Sequence, residues 1–444
     1  MNEQLSKDLS QFLSGEELQF AELLANTDQS RLAALLIGQQ KASELLNERE
    51  HEIYREESLR KTSPEPLAAG KLVVVLKATR LCNLRCTYCH SWAEGPGNTM
   101  SFETTARTVH EILSIPNLKR IAFVWHGGEV TMLNTKFFKK LIWLQEQFRS
   151  EDQVVTHSIQ SNATNFSTEW LSFLKSMGMS VGISVDGPPE VHDLRRKSKS
   201  GNGTSQDVRK GIQQLREYGI PYGALVVVDR EVRDCGPKNL LKYFKEINLT
   251  RIDFLNIVPD NRTLVTSSLQ EDFITYREFV EFLAVAFEVW WDEYRNDIDI
   301  SLFDQFVQLF EKKIPTVSHC YWEGNCSNEI ITLEANGDVS PCDKYVGDFD
   351  SNYGSLLTSS LSSLLINSKH HAKAQNEERE SFAKMEQCEW FHVCGGGCPH
   401  DRMMNYRHVP GYDGTCCGTG KLLEVISKKV GDSRIEVVNV STKN

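Results

Sequence analysis

Residues 72–92 read LVVVLKATRLCNLRCTYCHSW, an apolar run followed at once by Cys82, Cys86 and Cys89 in the spacing C-x3-C-x2-C. The run has the length and β-branched content of a buried strand. The cysteines therefore stand on the loop that leaves the strand's C-terminal end. Three thiolates on one short loop can bind three irons of a cubane and leave the fourth iron open to a substrate, which a four-cysteine electron carrier cannot do. A zinc site expects paired C-x2-C knuckles and four ligands, and one C-x2-C with an offset third cysteine fits that poorly.

Further apolar runs follow at Ile121–Trp125, Val154–Ile159, Val181–Val185, Tyr222–Val228 and Ile252–Ile257, separated by amphipathic helical stretches. Repeated βα units predict an α/β fold with a parallel sheet and right-handed crossovers. Six units suggest a partial (β/α)6 barrel, whose chemistry gathers at the C-terminal ends of the strands. Polar or glycine-rich segments follow the second to fourth runs: Gly127-Gly128-Glu129, Gln160-Ser161-Asn162 and Ser184-Val185-Asp186-Gly187-Pro188. Taken alone, Gly-Gly-Glu reads as a turn. Its place one βα unit after the cysteines favours a functional reading.

The chain divides into a helical N-terminal extension (1–66), a barrel domain (67–310), a cysteine-rich C-terminal module (311–430) and a tail (431–444). The extension carries Leu5, Leu9, Phe12 and Leu13, then Leu32, Leu35 and Leu36, at helical spacing, breaks at Thr62-Ser-Pro-Glu-Pro, and shows no strand. Such leucines mean packing more often than recognition. A formal charge of −11 and a pI of about 5.6 argue against nucleic acid and anionic membrane as partners. No signal peptide and no apolar run of membrane-spanning length is present, so a soluble cytoplasmic protein is expected.

Twelve cysteines in a reducing compartment read as ligands rather than disulfides. Eight of them lie between Cys320 and Cys417, in a module expected to be small, loop-rich and held by its ligands more than by a core. Cys235, before Gly236-Pro237, reads as an ordinary residue.

The C-x3-C-x2-C spacing, with Tyr88 before its last cysteine, resembles the motif of the radical S-adenosylmethionine (SAM) superfamily, and the resemblance extends over roughly residues 70–430. It implies a [4Fe–4S] cluster on Cys82, Cys86 and Cys89, with SAM contacted by Tyr88, Gly127, Gly128, Glu129, Gln160, Asn162 and Ser184. The run GISVDGPPEVHDLRR resembles the anaerobic sulfatase-maturating enzymes. Val130 and Ser161-Asn162-Ala163 depart from the GGEP and QTNG usual there.

The C-terminal module resembles the SPASM domain, a carrier of auxiliary [4Fe–4S] clusters. The resemblance implies one such cluster on Cys320, Cys326, Cys342 and Cys398, with Gly337 five residues before Cys342. A second would take Cys388, Cys394 and Cys416, but Met385 stands where the pattern has its fourth cysteine. Three outcomes stay open: Cys417 supplies the fourth thiolate, another ligand or the substrate does, or that cluster is absent. Asp343 matches an aspartate that accepts the substrate's proton in the sulfatase maturases; the plain alternative is a turn-capping or solvent-facing carboxylate.

These resemblances imply a peptide-modifying oxidoreductase. It would act on a ribosomal precursor peptide and be reduced by a donor such as flavodoxin or ferredoxin. The stretch CHSWAEGPG, the extension and the altered second cluster resemble cyclophane-forming maturases of the XYE or darobactin type, so a side-chain crosslink is the leading expectation. Formylglycine formation on a cysteine or serine is the alternative. A non-catalytic iron–sulfur carrier or zinc module is a third reading, one that leaves Gly-Gly-Glu and the Ser184 segment without purpose.

Overall fold

The computed structural model describes residues 10–27, 70–89, 91, 93–94, 97–258, 272–314, 317, 326–345 and 351–441. All six apolar runs are strands: β1 (Lys71–Lys77), β2 (Arg120–Trp125), β3 (Val154–Ser161), β4 (Ser180–Ser184), β5 (Tyr222–Val228) and β6 (Arg251–Asn256). They lie parallel and side by side in chain order, and a two-residue β7 (Asp299–Ile300) pairs with β6. This is an α/β fold on a mostly parallel sheet, as the alternation of periods requires.

Helices cover the sheet by burying one stripe each. Those of α2 (Phe102–Leu113), α3 (Thr135–Phe148) and α4 (Thr168–Ser176) are buried against the strands. Each begins at a side chain that accepts a backbone N–H of the first turn: Ser101 from Thr104, Asn134 from Lys136, and Ser167 from Trp170. Such caps satisfy donors that would otherwise be orphaned, and each is worth about 1 kcal/mol.

The described part of the N-terminal extension includes α1 (Gly15–Thr27), which packs on α2 and α3. Ala21 is buried there, Leu18 and Phe20 lie against the core, and Lys140 of α3 meets both carboxylate oxygens of Glu17 at 2.5 and 2.6 Å. Residues 28–66 of the extension lie outside the described residues. Among the described residues no helix is long and apolar enough to cross a membrane.

The C-terminal module is not set apart from the sheet, and this corrects the expectation of a unit held chiefly by its ligands. Strand β8 (Ile330–Glu334) pairs in parallel with the free edge of β1, Val73 opposite Ile330 through Lys77 opposite Glu334. Strands β9 (Asp338–Ser340) and β10 (Gly354–Ser355) follow antiparallel, giving the order β10-β9-β8-β1-β2-β3-β4-β5-β6-β7. Asn336-Gly337 makes the turn between β8 and β9, with Gly337 at φ 87°. One continuous apolar core runs from Leu72 through Ile331, Leu364 and Met385 to Val430. The last helix, Gly420–Ser441, passes through residue 431 without a break.

Because β8 covers β1, a fragment comprising residues 67–310 should expose a long parallel edge and the adjoining core. We expect it to aggregate or to purify with chaperones. A monodisperse monomer of that fragment with cooperative urea unfolding would contradict the shared sheet.

Candidate functional site

Each of the six parallel strands ends in, or runs directly into, a buried polar side chain: Lys77, Glu129, Asn162, Asp186, Asp229 and Asn256. Desolvated polar groups persist only with partners, and these find them along one layer at the strands' C-terminal ends. The cysteine loop lies on that layer.

Asp186 anchors the loop. Fully buried, it accepts from Tyr88 Oη at 2.8 Å and from Arg196 Nε at 2.8 Å, with Arg195 Nη1 at 3.5 Å. The Arg195 guanidinium lies over the Tyr88 ring, 4.5 Å from its centroid. Burial alone would raise the Asp186 carboxyl, but Arg196 and Arg195 outweigh it and hold it near 2. Backbone bonds reinforce the attachment: Arg85 N–H donates to Lys197 O at 2.7 Å and Thr87 N–H to Arg195 O at 2.9 Å. Tyr88 is thus committed through its hydroxyl to Asp186.

Gly127 and Gly128 are dictated by the passage of β1 and the cysteine loop beside them. Both have positive φ, 80° and 52°. A Cβ on Gly127 would lie 2.5 Å from Lys77 Cδ, and one on Gly128 only 2.3 Å from Leu81 O. Glu129 N–H then donates to Leu81 O at 2.7 Å. The Glu129 carboxylate accepts from Thr131 N and Oγ1 (3.1 and 2.7 Å), Ser161 Oγ (2.8 Å) and Asn162 N (2.7 Å), tying the ends of β2 and β3 together.

Asn162 Nδ2 donates to Asn83 Oδ1 at 2.8 Å and stands 4.0 Å from Cys82 Sγ. Gln160 lies over Gly182, where a Cβ would meet its Oε1 at 2.0 Å, and its Nε2 donates to Ser184 Oγ at 3.0 Å. Gln160, Asn162, Ser184 and the Gly127-Gly128-Glu129 turn therefore occupy neighbouring strand ends.

Asp343, on the short turn Asp343–Tyr345, comes to the same layer through β8 and β9. Its Oδ2 is 3.6 Å from Lys77 Nζ and 3.9 Å from His126 Nδ1, and Lys77 Nζ stands 2.7 Å from His126 Nδ1. Burial and the adjacent ammonium push His126 down to about 3. The imidazole is therefore neutral near pH 7. Partial burial would raise the Asp343 carboxyl, but the Lys77 ammonium, with Lys344, keeps it below its ordinary range.

The expected ligands share a local signature. Cys82, Cys89 and Cys416 each accept a backbone N–H from the residue two positions on, Leu84, Ser91 and Gly418, and the backbones of Lys344, Trp390, Gly396 and His400 lie correspondingly beside Cys342, Cys388, Cys394 and Cys398. Such bonds stabilise sulfur-borne negative charge and tune iron–sulfur sites. Burial raises the thiols of Cys82 and Cys86, to about 11 and about 12, while the backbone N–H groups aimed at Cys82 and Cys89 favour negative charge on those sulfurs. The residues thus fit thiolate ligation of a cluster.

Among the described residues no group of three or more His, Cys, Asp or Glu side chains surrounds a single-ion site. Ligands of a cubane sit on different irons and stand farther apart. Cys326 begins the short helix Cys326–Glu329, Cys342 and Cys398 lie within electrostatic reach of each other, and Cys320 is outside the described residues. Cys235 is the last residue of the helix Arg230–Cys235.

Sequence reading missed Lys77, His126, Asp186, Arg195, Arg196, Asn256, Lys344 and Asp401. Lys344 Nζ meets Asp401 at 2.8 and 2.9 Å and Asn256 Oδ1 at 3.0 Å, joining the C-terminal cysteines to the end of β6. A lysine ending an apolar strand and paired arginines in DLRRK are signals that could have pointed to such buried partners.

A family model described as the radical SAM superfamily matches residues 76–243, which span the cysteine loop, Gly127–Glu129 and Ser184. Over that stretch, less than half of its 444 residues, the chain is similar to the radical SAM superfamily. It is 26% identical over 400 residues to a serine-type anaerobic sulfatase-maturating enzyme of Bacteroides thetaiotaomicron, covering 86% of this chain and 95% of that protein. With a cysteine-type enzyme of Clostridium perfringens it shares 28% over 342 residues, covering 73% and 88%.

Among solved structures, native anSMEcpe with bound AdoMet and Cp18Cys peptide superposes with a TM-score of 0.70 at 24% identity, covering 82% of this chain and 99% of that one. Streptococcus suis SuiB bound to precursor peptide SuiA gives 0.52 at 15%, covering 80% and 76%. Both share the fold. The family match and the similarity to sulfatase-maturating enzymes together indicate an enzyme that uses SAM in a radical, oxidoreductase-type reaction.

Replacing Asp186 by Asn should leave two buried guanidinium groups short of a counter-charge and cost about 3–5 kcal/mol at neutral pH. The folded carboxyl sits near 2 against an ordinary 3.8. Its contribution is therefore complete above the ordinary value and is lost as pH falls through the folded one. Urea unfolding of wild type and D186N should show a gap that narrows below about pH 4; a gap independent of pH would refute the assignment. Gly128→Ala, forced against Leu81 O, should cost at least about 2 kcal/mol and lower the Tm.

Proposed function

We propose that this enzyme binds SAM at the strand ends beside Cys82, Cys86 and Cys89 and oxidises a cysteine or serine side chain of a polypeptide to formylglycine. Sequence resemblance put crosslinking first and this reaction second; similarity to serine-type and cysteine-type anaerobic sulfatase-maturating enzymes over most of both chains reverses that order. The observation that carries the reading is Asp343, held beside Lys77 and His126 on the layer that holds the cysteine loop.

When bound, SAM and the clusters supply a 5′-deoxyadenosyl radical that takes a hydrogen atom from the substrate's β-carbon, and an acceptor for the remaining electron. The protein's part is position and proton transfer. Gly127 and Gly128 let Lys77 and the cysteine loop pass close to the end of β2, and Gln160 and Ser184 present a hydrogen-bonded pair at the ends of β3 and β4. Glu129 braces β2 against β3, and Asn162 steadies the loop through Asn83.

Asp343, kept ionised by the cations beside it, accepts the proton from the substrate's hydroxyl or thiol; serine then gives the aldehyde directly, and cysteine gives a thioaldehyde that water hydrolyses to the aldehyde with release of hydrogen sulfide. Lys77 holds the carboxylate and the neutral His126 in place. The C-terminal module is a SPASM-type carrier of auxiliary clusters on a partial (β/α)6 barrel, and a flavodoxin- or ferredoxin-type protein delivers electrons.

Crosslinking remains the second reading, favoured by the fold shared with SuiB, which was solved with a precursor peptide. The two readings separate on the product. Anaerobically reconstituted enzyme, with SAM, dithionite and a sulfatase-type peptide carrying the target cysteine or serine, should form 5′-deoxyadenosine and a product captured by an aldehyde-specific hydrazide. A product that has lost two hydrogens, resists the hydrazide and survives proteolysis as a linked pair would sink the formylglycine reading. Asp343→Asn should lower the yield of aldehyde per 5′-deoxyadenosine, with turnover falling roughly 10²-fold or more.

A further inference from the structure

The second auxiliary site lacks the cysteine that its family pattern places at residue 385, and the side chain there is Met385. Met385 ends the helix Lys369–Met385, is 1% exposed and belongs to the apolar core. Its Cε lies 3.3 Å from where a Cβ on Gly396 would stand. It is a packing residue, and a thioether is a weak substitute for a thiolate.

Four thiols meet one turn away. Cys388 and Cys416 lie close enough to shift each other's thiols, as do Cys416 and Cys417, and Cys417 Sγ lies 3.5 Å from Cys394 Sγ. Cys416 also accepts the Gly418 N–H and Cys417 Sγ lies 3.3 Å from the Thr419 hydroxyl, while the backbones of Trp390 and Gly396 lie beside Cys388 and Cys394. The backbone is shaped around Cys417. Gly395, Gly396 and Gly397 all have positive φ (54°, 85° and 65°), and a Cβ on Gly397 would lie 2.9 Å from Cys417 Cβ. That loop carries Cys394 at one end and Cys398, assigned to the other cluster, at the opposite end.

We propose that Cys417 is the fourth thiolate of the cluster site formed with Cys388, Cys394 and Cys416, in place of a ligand at position 385. The cluster is then fully ligated by protein, with two of its thiolates from adjacent residues. It has no open iron for substrate and is suited to electron transfer. The inference rests on the reading that the C-terminal cysteines hold iron–sulfur clusters.

The test uses the full chain with Cys82, Cys86 and Cys89 changed to Ala, so that only C-terminal clusters remain, reconstituted anaerobically with iron and sulfide. Metal analysis, acid-labile sulfide and Mössbauer spectra are read on this parent and on its Cys417→Ala, Cys417→Ser and Met385→Leu variants; circular dichroism and gel filtration of the apo forms identify the folded ones. Cys417→Ala should lose half of the parent's iron and sulfide, while Met385→Leu keeps both. Cys417→Ser, nearly isosteric, stands in if the alanine variant does not fold, and should show either the same loss or one iron with an oxygen-ligated isomer shift.

Unchanged iron and an unchanged spectrum in the Cys417 variants would overturn the inference, as would loss of a cluster in Met385→Leu, or zinc in place of iron at this site. A parent that takes up no iron at all would instead overturn the underlying cluster reading.

Discussion

Asp186 has no exposed surface, and a buried carboxylate without partners would be neutralised or would unfold its surroundings. Tyr88 and Arg196 satisfy it directly and Arg195 stands beside it, so the partners come from two separate segments of the chain. Tyr88 lies within the cysteine loop, and the two arginines begin the segment whose backbone carbonyls hold Arg85 and Thr87. Arg195 also reaches Asp229 at the end of β5, at 2.7 Å. The position of three cysteines therefore depends on one carboxylate at the end of β4. A loop so short cannot form a hydrophobic core of its own, so charge pairing in a dry setting does that work.

Close approach is the second constraint. The chain leaving β1 runs so near the end of β2 that no side chain fits at Gly128, and the Gly127 position is filled from the other side by the stem of Lys77. Lys77 thus enters the site by the same contact that makes glycine necessary. Its ammonium then meets His126 and Asp343, which lie on β2's exit and beyond β9. Pairing of β8 with β1 brings Asp343 there, so the C-terminal region completes the layer as well as covering the sheet edge.

Much of the site could be read from spacing because its chemistry is local. Cys82, Cys86 and Cys89 share a loop, Gly127-Gly128-Glu129 is contiguous, and the i+2 N–H to sulfur bonds need only a residue's near neighbours. The strands were equally legible, since each is an apolar run of period and length that a buried parallel strand demands. Asp343 was found by resemblance, yet its cationic neighbours were not. Lys77 is 266 residues earlier in the chain, and no periodicity links it to Asp343. The same holds for Asn256, Lys344 and Asp401, which meet only after β6 and the C-terminal helices have packed.

By itself the sequence determined the alternation of strands and helices, the cysteine loop after the first strand, and the glycines that permit its approach, because these follow from local period, propensity and sterics. Only the tertiary structure decided that β8 joins the main sheet, that Asp186 serves the cysteine loop, that Lys77 and His126 flank Asp343, and that Cys417 lies among Cys388, Cys394 and Cys416. Those pairings join residues distant along the chain, and their energies arise from desolvation and close contact, which exist only once the chain has folded.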